Sequence, residues 1–193
     1  CQLEKLYKNG KPFKMSKRAG DFISVQDLLN EVNKDSIRFM MLNRSNDVEL
    51  DFDFEKVKEK SKDNPVFYVQ YAFARINSII RSLKKNLADE ILVDPKSFNP
   101  NKYEEKIIRK IFQWPKIIES AAYKLEPHKI PFYLYELSTL FHSYWSKGNE
   151  DKRFRFIEKG QLKRSESLAF IYLIAIVIRN GMSILGVSLP EKM

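Results

Sequence analysis

Asp63-Asn64-Pro65-Val66-Phe67-Tyr68-Val69-Gln70-Tyr71-Ala72-Phe73-Ala74-Arg75-Ile76 is the stretch on which the fold turns. Asn64 suits an N-cap, because its side-chain oxygen can accept from the unpaired N–H groups of a first helical turn. Pro65 suits the first helical position, where the N–H it lacks would have no partner. From there Val66, Val69, Ala72, Phe73, Ile76, Ile79, Ile80 and Leu83 recur at the spacing of one helical face. Lys84 and Lys85 follow, and positive charge favours the C-terminal end of a helix dipole. A helix with one apolar face needs partners to cover it.

The C-terminal side supplies them. Asp94 to Asn101, with two prolines, reads as a loop. Tyr103 to Leu125 predicts a helix kinked at Pro115, whose ring breaks the hydrogen-bond ladder. His128 to Lys147 predicts another helix, irregular around Pro131, and Gly148 to Lys152 a polar turn. A last long helix starts near Ser165, is weakened at its end by Gly181 and Gly186, and cannot pass Pro190. Its apolar run, Leu168 to Ile178, is closed by Arg179. Eleven residues at a helical rise of about 1.5 Å span about half of a bilayer core, so the run reads as a buried core helix. Four long helices with apolar faces imply one shared core.

The N-terminal side reads differently. Leu3 to Phe13 predicts a hairpin, with Asn9-Gly10 as the preferred turn pair. Ser24 reads as an N-cap, with Asp27 three residues on and Val25, Leu28, Leu29 and Val32 as an apolar stripe. Asp35-Ser36 opens a second short helix, Ile37 to Leu42. Asp47 to Phe54 alternates with period two, which predicts a strand or extended segment, and Glu55 to Lys62 a short polar helix. The fold class expected is mainly α: a C-terminal antiparallel helix bundle preceded by a small mixed α/β segment. The domain boundary falls between 63 and 64, giving residues 1–63 and 64–193.

The chain has 193 residues and a net charge of +9, which points to a polyanionic partner. The single cysteine, Cys1, excludes an internal disulfide framework and a cysteine zinc site, and fits a reducing cytoplasm. No cleavable signal peptide is visible at the start. The chain begins with Cys at a strand, so the reading expects a fragment of a longer protein.

Gly10-Lys11-Pro12-Phe13-Lys14-Met15-Ser16-Lys17-Arg18-Ala19-Gly20 carries the chemistry. Lys14 and Lys17 are three apart on a glycine-bracketed loop, and both can reach one polyphosphate. A lysine is a compact cation on a flexible stem, suited to charge that moves onto a leaving phosphate. A basic surface turn is the plainer explanation of the same residues.

The loop resembles the Lys-Met-Ser-Lys-Ser signature of class I aminoacyl-tRNA synthetases, with Arg18 where that pattern has Ser. Asp63 to Ile76 resembles the first helix of the anticodon-binding domain of the arginyl-tRNA synthetase family. Phe73 departs from it, since that position is commonly His. Asp35-Ser36-Ile37-Arg38-Phe39, Leu50-Asp51-Phe52-Asp53, Glu126-Pro127-His128, Tyr133 to Leu137 and the ending Arg179 to Met193 are similar to later segments of the family, in order. The resemblance implies an arginine–tRNA ligase, which activates arginine with ATP and transfers it to its tRNA. Its nucleotide-binding half would lie upstream of Cys1, so the fragment alone is expected to be inactive. ATP with Mg2+ would enter as substrate, with no tightly bound cofactor in the fragment. Lys14 and Lys17 would be catalytic, and with Ser16 they would bind the ATP phosphates. The partners implied are an arginine tRNA, and ATP and arginine through the other half. The chain would be monomeric, cytoplasmic and without a membrane.

Tyr68, Tyr71, Tyr133, Tyr135, Tyr144 and Trp145 could stack unpaired bases or simply fill the core. Tyr71, Arg75, Tyr144, Trp145 and Met193 are the tRNA-binding residues expected, Tyr71 and Met193 from the resemblance. Arg81, Lys84 and Lys85 could track a backbone or form a solvated face. His128 and His142 have no ligand constellation, so no metal is expected. A non-catalytic RNA-binding module, or a helical domain that docks acidic proteins, would also explain the charge.

Overall fold

A computed structural model describes residues 4–8, 10–12, 24–83, 98–164 and 166–193. Lys14, Ser16 and Lys17 lie outside the described residues, as do Asn9, Lys84, Lys85 and Ser165.

The N-terminal part holds a three-stranded sheet: β1 (Glu4–Lys8), β2 (Lys11–Pro12) and β3 (Leu50–Asp53), in the order β2-β1-β3. β1 and β2 are antiparallel, with Tyr7 opposite Pro12, and Gly10 takes a φ of +70° in the turn. β3 runs parallel to β1, with Leu6 opposite Phe52. A parallel pair needs a crossover, supplied here by α1 (Val25–Glu31) and α2 (Lys34–Leu42). Ser24 caps α1 in a full capping box with Asp27, as the sequence predicts. Asn33 caps α2. After α3 (Phe54–Lys58), the segment closes its own small core of Leu28, Val32, Ile37, Leu50, Phe52, Phe54 and Val57.

Asn64 joins the two parts. Its amide donates to the carbonyls of Val57 and Glu59, both at 2.8 Å, and its oxygen caps α4 (Pro65–Ser82). α4 buries Val66, Val69, Ala72, Phe73, Ile76 and Ile79, the stripe read from sequence. Phe73 is buried, with the Arg179 guanidinium 5.5 Å from its ring centroid, so the departure from the family's His serves as core.

α5 (Lys102–Phe112) and α6 (Trp114–Tyr123) replace the single kinked helix expected over 103–125. The break falls at Gln113, because Pro115 has no N–H for the preceding turn and instead sits at the start of α6. α7 (Lys129–Glu150) also corrects the reading: the helix runs through the turn expected from Gly148. Gly148 is buried there, and a Cβ on it would stand 3.2 Å from the carbonyl oxygen of Phe154. A 3-10 turn (Lys152–Phe154) and a short hairpin follow, β4 (Ile157–Glu158) and β5 (Gln161–Leu162), which the sequence reading did not anticipate. α8 (Glu166–Leu185) is the last helix. It is long and apolar enough to cross a membrane by length and composition, yet Leu168, Ile171, Ile174, Ile178 and Met182 are buried in the bundle against α4 and α7. Gly181 lets α8 approach α7: a Cβ there would meet Leu134 at 2.7 Å. It is therefore a packing residue rather than a weak point.

One buried carboxylate ties the bundle together. Glu104 is fully buried; it accepts from Arg164 at 2.6 Å, from the Tyr144 hydroxyl at 3.0 Å and from the Asn101 N–H at 2.9 Å. Removing one member of such a network leaves the others without partners in a low-dielectric setting. Glu104→Ala should therefore destabilise the protein by about 3 kcal/mol in urea unfolding, and an unchanged midpoint would show that the network adds nothing.

Candidate nucleic-acid interface

A cleft of about 650 Å³ opens on the edge of the bundle. α4 supplies Tyr71, Arg75 and Arg81, α7 supplies Trp145, β4 supplies Ile157, and the chain end supplies Lys192 and Met193. Tyr71, Ala74, Arg75 and Ser78 follow i, i+3, i+4, i+7 spacing, so they form a stripe beside the buried one. Four of the five tRNA-binding residues expected from sequence, Tyr71, Arg75, Trp145 and Met193, thus line one cavity.

Arg75 is its centre. Its guanidinium carbon lies 4.3 Å from the Tyr71 ring centroid and 5.1 Å from that of Trp145. Nη2 donates to the Tyr71 hydroxyl oxygen at 2.5 Å, and Nη1 stands 3.1 Å from His142 Nδ1. Arginine has only donors, so Nδ1 must accept. His142 Nε2, 3.2 Å from the Tyr68 carbonyl oxygen, then carries the proton and donates it there. The hydrogen bonds fix one neutral tautomer. Burial pushes the His142 pKa down to about 4, opposed by the bond to Tyr68 and helped by the charge of Arg75. His142 also packs on Tyr68 at 4.4 Å and on Tyr71 at 5.4 Å, and Phe67 stacks on Tyr71 at 5.8 Å.

The chain end is strapped beside the cleft. Gln70 donates to the Ser188 carbonyl at 3.0 Å and Arg81 to the Glu191 carbonyl at 2.9 Å. Arg38 donates to the Leu185 carbonyl and Ser188 to Asp35, which ties the strap to α2. Gly186 turns the chain with a φ of +65°, and a Cβ there would stand 2.8 Å from Arg38 Nε. Met193 remains half exposed at the end.

Tyr144 does not join this group. It is 3% exposed, its hydroxyl is shared between Asn101 and Glu104, and its ring packs against Tyr103 and Phe156. A ring so enclosed has no face for a base, so the expected role of Tyr144 in RNA contact is corrected to a core role. Burial raises its phenol pKa. Tyr133 is likewise buried, donating to the Lys110 carbonyl. Tyr68 and Tyr135 stand outside the cleft, 5.3 Å apart. Trp145 belongs to the cleft for a different reason than its place near a helix end, since α7 continues five residues beyond it. Sequence reasoning missed His142 as a partner of the site. The available signal was its place three residues before Trp145 on the same helix. Among the described residues no three His, Cys, Asp or Glu side chains gather to hold a metal.

The depressed pKa has a consequence for stability. The unfolded chain binds a proton at His142 near the ordinary value of 6.5, and the folded chain only near 4. The stabilising term is therefore whole above about pH 6.5 and lost progressively as pH falls to about 4, by up to about 3 kcal/mol. Urea unfolding of wild type and His142→Gln at pH 7 and 4.5 measures it. The gap in stability should narrow at the lower pH, and a constant gap would contradict the neutral assignment.

The chain matches the family model of the DALR anticodon binding domain over residues 69–193. It is 56% identical to an arginine–tRNA ligase of Pelagibacter ubique and 46% identical to one of Rhizobium etli. All of this chain is covered in both alignments, against 33% and 34% of those proteins, so it spans about a third of their length. A crystal structure of a provisionally assigned arginyl-tRNA synthetase from Campylobacter jejuni superposes on 99% of the chain with a TM-score of 0.84 and 28% identity, covering 40% of that structure. The Thermus thermophilus arginyl-tRNA synthetase shares the fold, with a TM-score of 0.65 and 22% identity over 92% of this chain and 29% of its own. The bundle, the aromatic-and-arginine cleft and these likenesses agree, and the chain belongs to the DALR anticodon binding domain family.

Proposed function

We propose that this chain holds the anticodon arm of an arginine tRNA, as part of an arginine–tRNA ligase. The observation that carries the reading is the convergence of Tyr71, Arg75, Trp145 and Met193, from three distant parts of the sequence, on one cleft. Unpaired bases stack on aromatic rings and on guanidinium planes, and the Tyr71–Arg75–Trp145 layer offers both. Arg81 and Lys192 at the rim would meet phosphate. His142 holds Arg75 in register from behind. The proposed domain boundary at 63/64 draws support from the small apolar core that Leu28, Val32, Ile37, Leu50, Phe52, Phe54 and Val57 form before it and from Asn64 as the joint, although Phe39 of α2 packs into the core of the bundle.

In the whole enzyme, arginine carboxylate would attack the α-phosphate of ATP, and pyrophosphate would leave. Lys14 and Lys17, with Ser16, would stabilise the charge that builds on the β- and γ-phosphates. A loop that closes gives this help mainly in the transition state, where it raises the rate. Mg2+ would accompany ATP as part of the substrate. The enzyme would work as a cytoplasmic monomer.

Two measurements test the reading. Trp145→Ala should weaken tRNA binding by about 1–3 kcal/mol, with the salt dependence unchanged because no phosphate contact is lost. Tyr71→Ala should do the same, and both losses should vanish for a tRNA without its anticodon arm. Equal affinity for intact and arm-deleted tRNA would leave only general electrostatic attraction. In the full-length enzyme, Lys17→Ala should raise the activation barrier by about 2–4 kcal/mol with little change in arginine binding, and an unchanged single-turnover rate would remove the lysine from the chemistry.

A further inference from the structure

Between α7 and α8, residues 152–164 hold six cations, Lys152, Arg153, Arg155, Lys159, Lys163 and Arg164, and one carboxylate, Glu158. This arm is firmly built. Phe156 anchors it, 3% exposed, with its ring centroid 4.7 Å from that of Tyr144 and 6.3 Å from that of Trp145. Arg155 Nε donates to the Gly148 carbonyl at 2.9 Å, Arg164 pairs with buried Glu104, and the Lys163 N–H donates to the Phe156 carbonyl at 3.0 Å. At the hairpin tip Lys159 and Gly160 both take positive φ, 53° and 76°. Such a pair makes a tight turn whose twist matches the strands it joins. Lys152, Arg153 and Lys159 are left exposed.

The arm also lines a second cleft of about 360 Å³, with Phe154, Arg155, Phe156 and Ile157 on one side and Gly148 and Trp145 on the other. Trp145 and Ile157 line both clefts. The indole and one isoleucine are therefore a shared wall, and the two cavities lie in series along the surface. A nucleic-acid strand has the matching form: flat bases that occupy successive compartments, joined by phosphates that need cations outside them.

We propose that residues 152–164 form a second RNA contact: a single strand whose base enters the first cleft continues past Trp145 and Ile157 into the second, where Phe154 and Arg155 flank the neighbouring nucleotide and Lys152 and Lys159 neutralise its phosphates. This rests on the reading of the first cleft as an RNA site. It extends the path of the strand beyond the first cleft and adds Lys152 and Lys159 to the phosphate contacts that Arg81 and Lys192 would make there.

The test uses the whole chain and an anticodon stem–loop RNA, titrated at several salt concentrations. The variants are Lys152→Gln with Lys159→Gln, a control pair Lys106→Gln with Lys116→Gln on the exposed faces of α5 and α6, and Trp145→Ala. Losing two phosphate contacts to a single strand should lower the magnitude of the slope of log K against log salt by about 1.4. The control pair should leave the slope as in wild type, and Trp145→Ala should weaken binding without altering it. An arm variant with the wild-type slope overturns the second contact while a weakened Trp145→Ala preserves the first. Equal slope changes in arm and control overturn it too, since they mean a diffuse field. A silent Trp145→Ala beside a lowered arm slope overturns the first cleft, and with it the continuous track.

Discussion

Val69, Ala72 and Ile76 lie on one stripe of α4 and are wholly withdrawn from solvent, against Leu134, Leu137 and Phe141 of α7 and Ile171, Ile174 and Ile178 of α8 in the same core. Full burial of an aliphatic side chain contributes about 1.5–3 kcal/mol, and rotating α4 by one residue would forfeit several of these at once. The helix is thus pinned about its own axis. Because successive residues turn by a fixed angle, pinning the buried stripe also pins the stripe beside it. Tyr71 and Arg75 stand at the rim of the bundle for that reason, and no loop rearrangement is needed to present them. Gly181 serves the same constraint from the other side, as it lets α8 close on Leu134.

Three polar side chains, Asn64, Glu104 and His142, do much of the remaining positioning, each through hydrogen bonds to more than one partner. Asn64 spends both ends of its amide on joining the small sheet-bearing part to the bundle. Glu104 collects Arg164, Tyr144 and the start of α5, which fixes the arm that follows α7. His142 accepts from Arg75 and donates to the backbone of α4. An arginine beside two aromatic rings would otherwise sample many rotamers; three partners reduce that freedom before any ligand arrives. Preorganisation of this kind lowers the entropic cost of binding.

The chain end links the two cores. Arg38 and Asp35 of α2 hold the segment after α8, Gln70 and Arg81 of α4 hold its continuation, and the last residues reach the cleft. The cleft therefore depends on contacts to the N-terminal part as well as on the bundle. Its rim is cationic, in keeping with the net charge of +9, and two carboxylates near the arm, buried Glu104 and half-buried Asp151, are paired with Arg164 and Arg153.

Much was legible in the residues themselves. The capping box at Ser24, the start at Asn64-Pro65 and the stripe from Val66 to Ile79 follow from local rules, because hydrogen bonding within one turn and periodicity along one helix need no distant partner. The resemblance to the family also came from order and spacing along the chain. The hairpin of residues 157–162, the passage of α7 through Gly148 and the burial of Tyr144 were not legible. Each depends on what stands opposite: Phe154 against Gly148, and Asn101 and Glu104 against the Tyr144 hydroxyl. Neighbouring Tyr144 and Trp145 show the difference most plainly. Both are aromatics on α7, a hundred degrees apart, and the sequence treats them alike. By itself it determined that α7 is a helix with an aromatic face near its end. Only the packing of α5 and Phe156 decided that Tyr144 is sealed in the core while Trp145 walls a cleft, since burial is set by neighbours in space and not by neighbours along the chain.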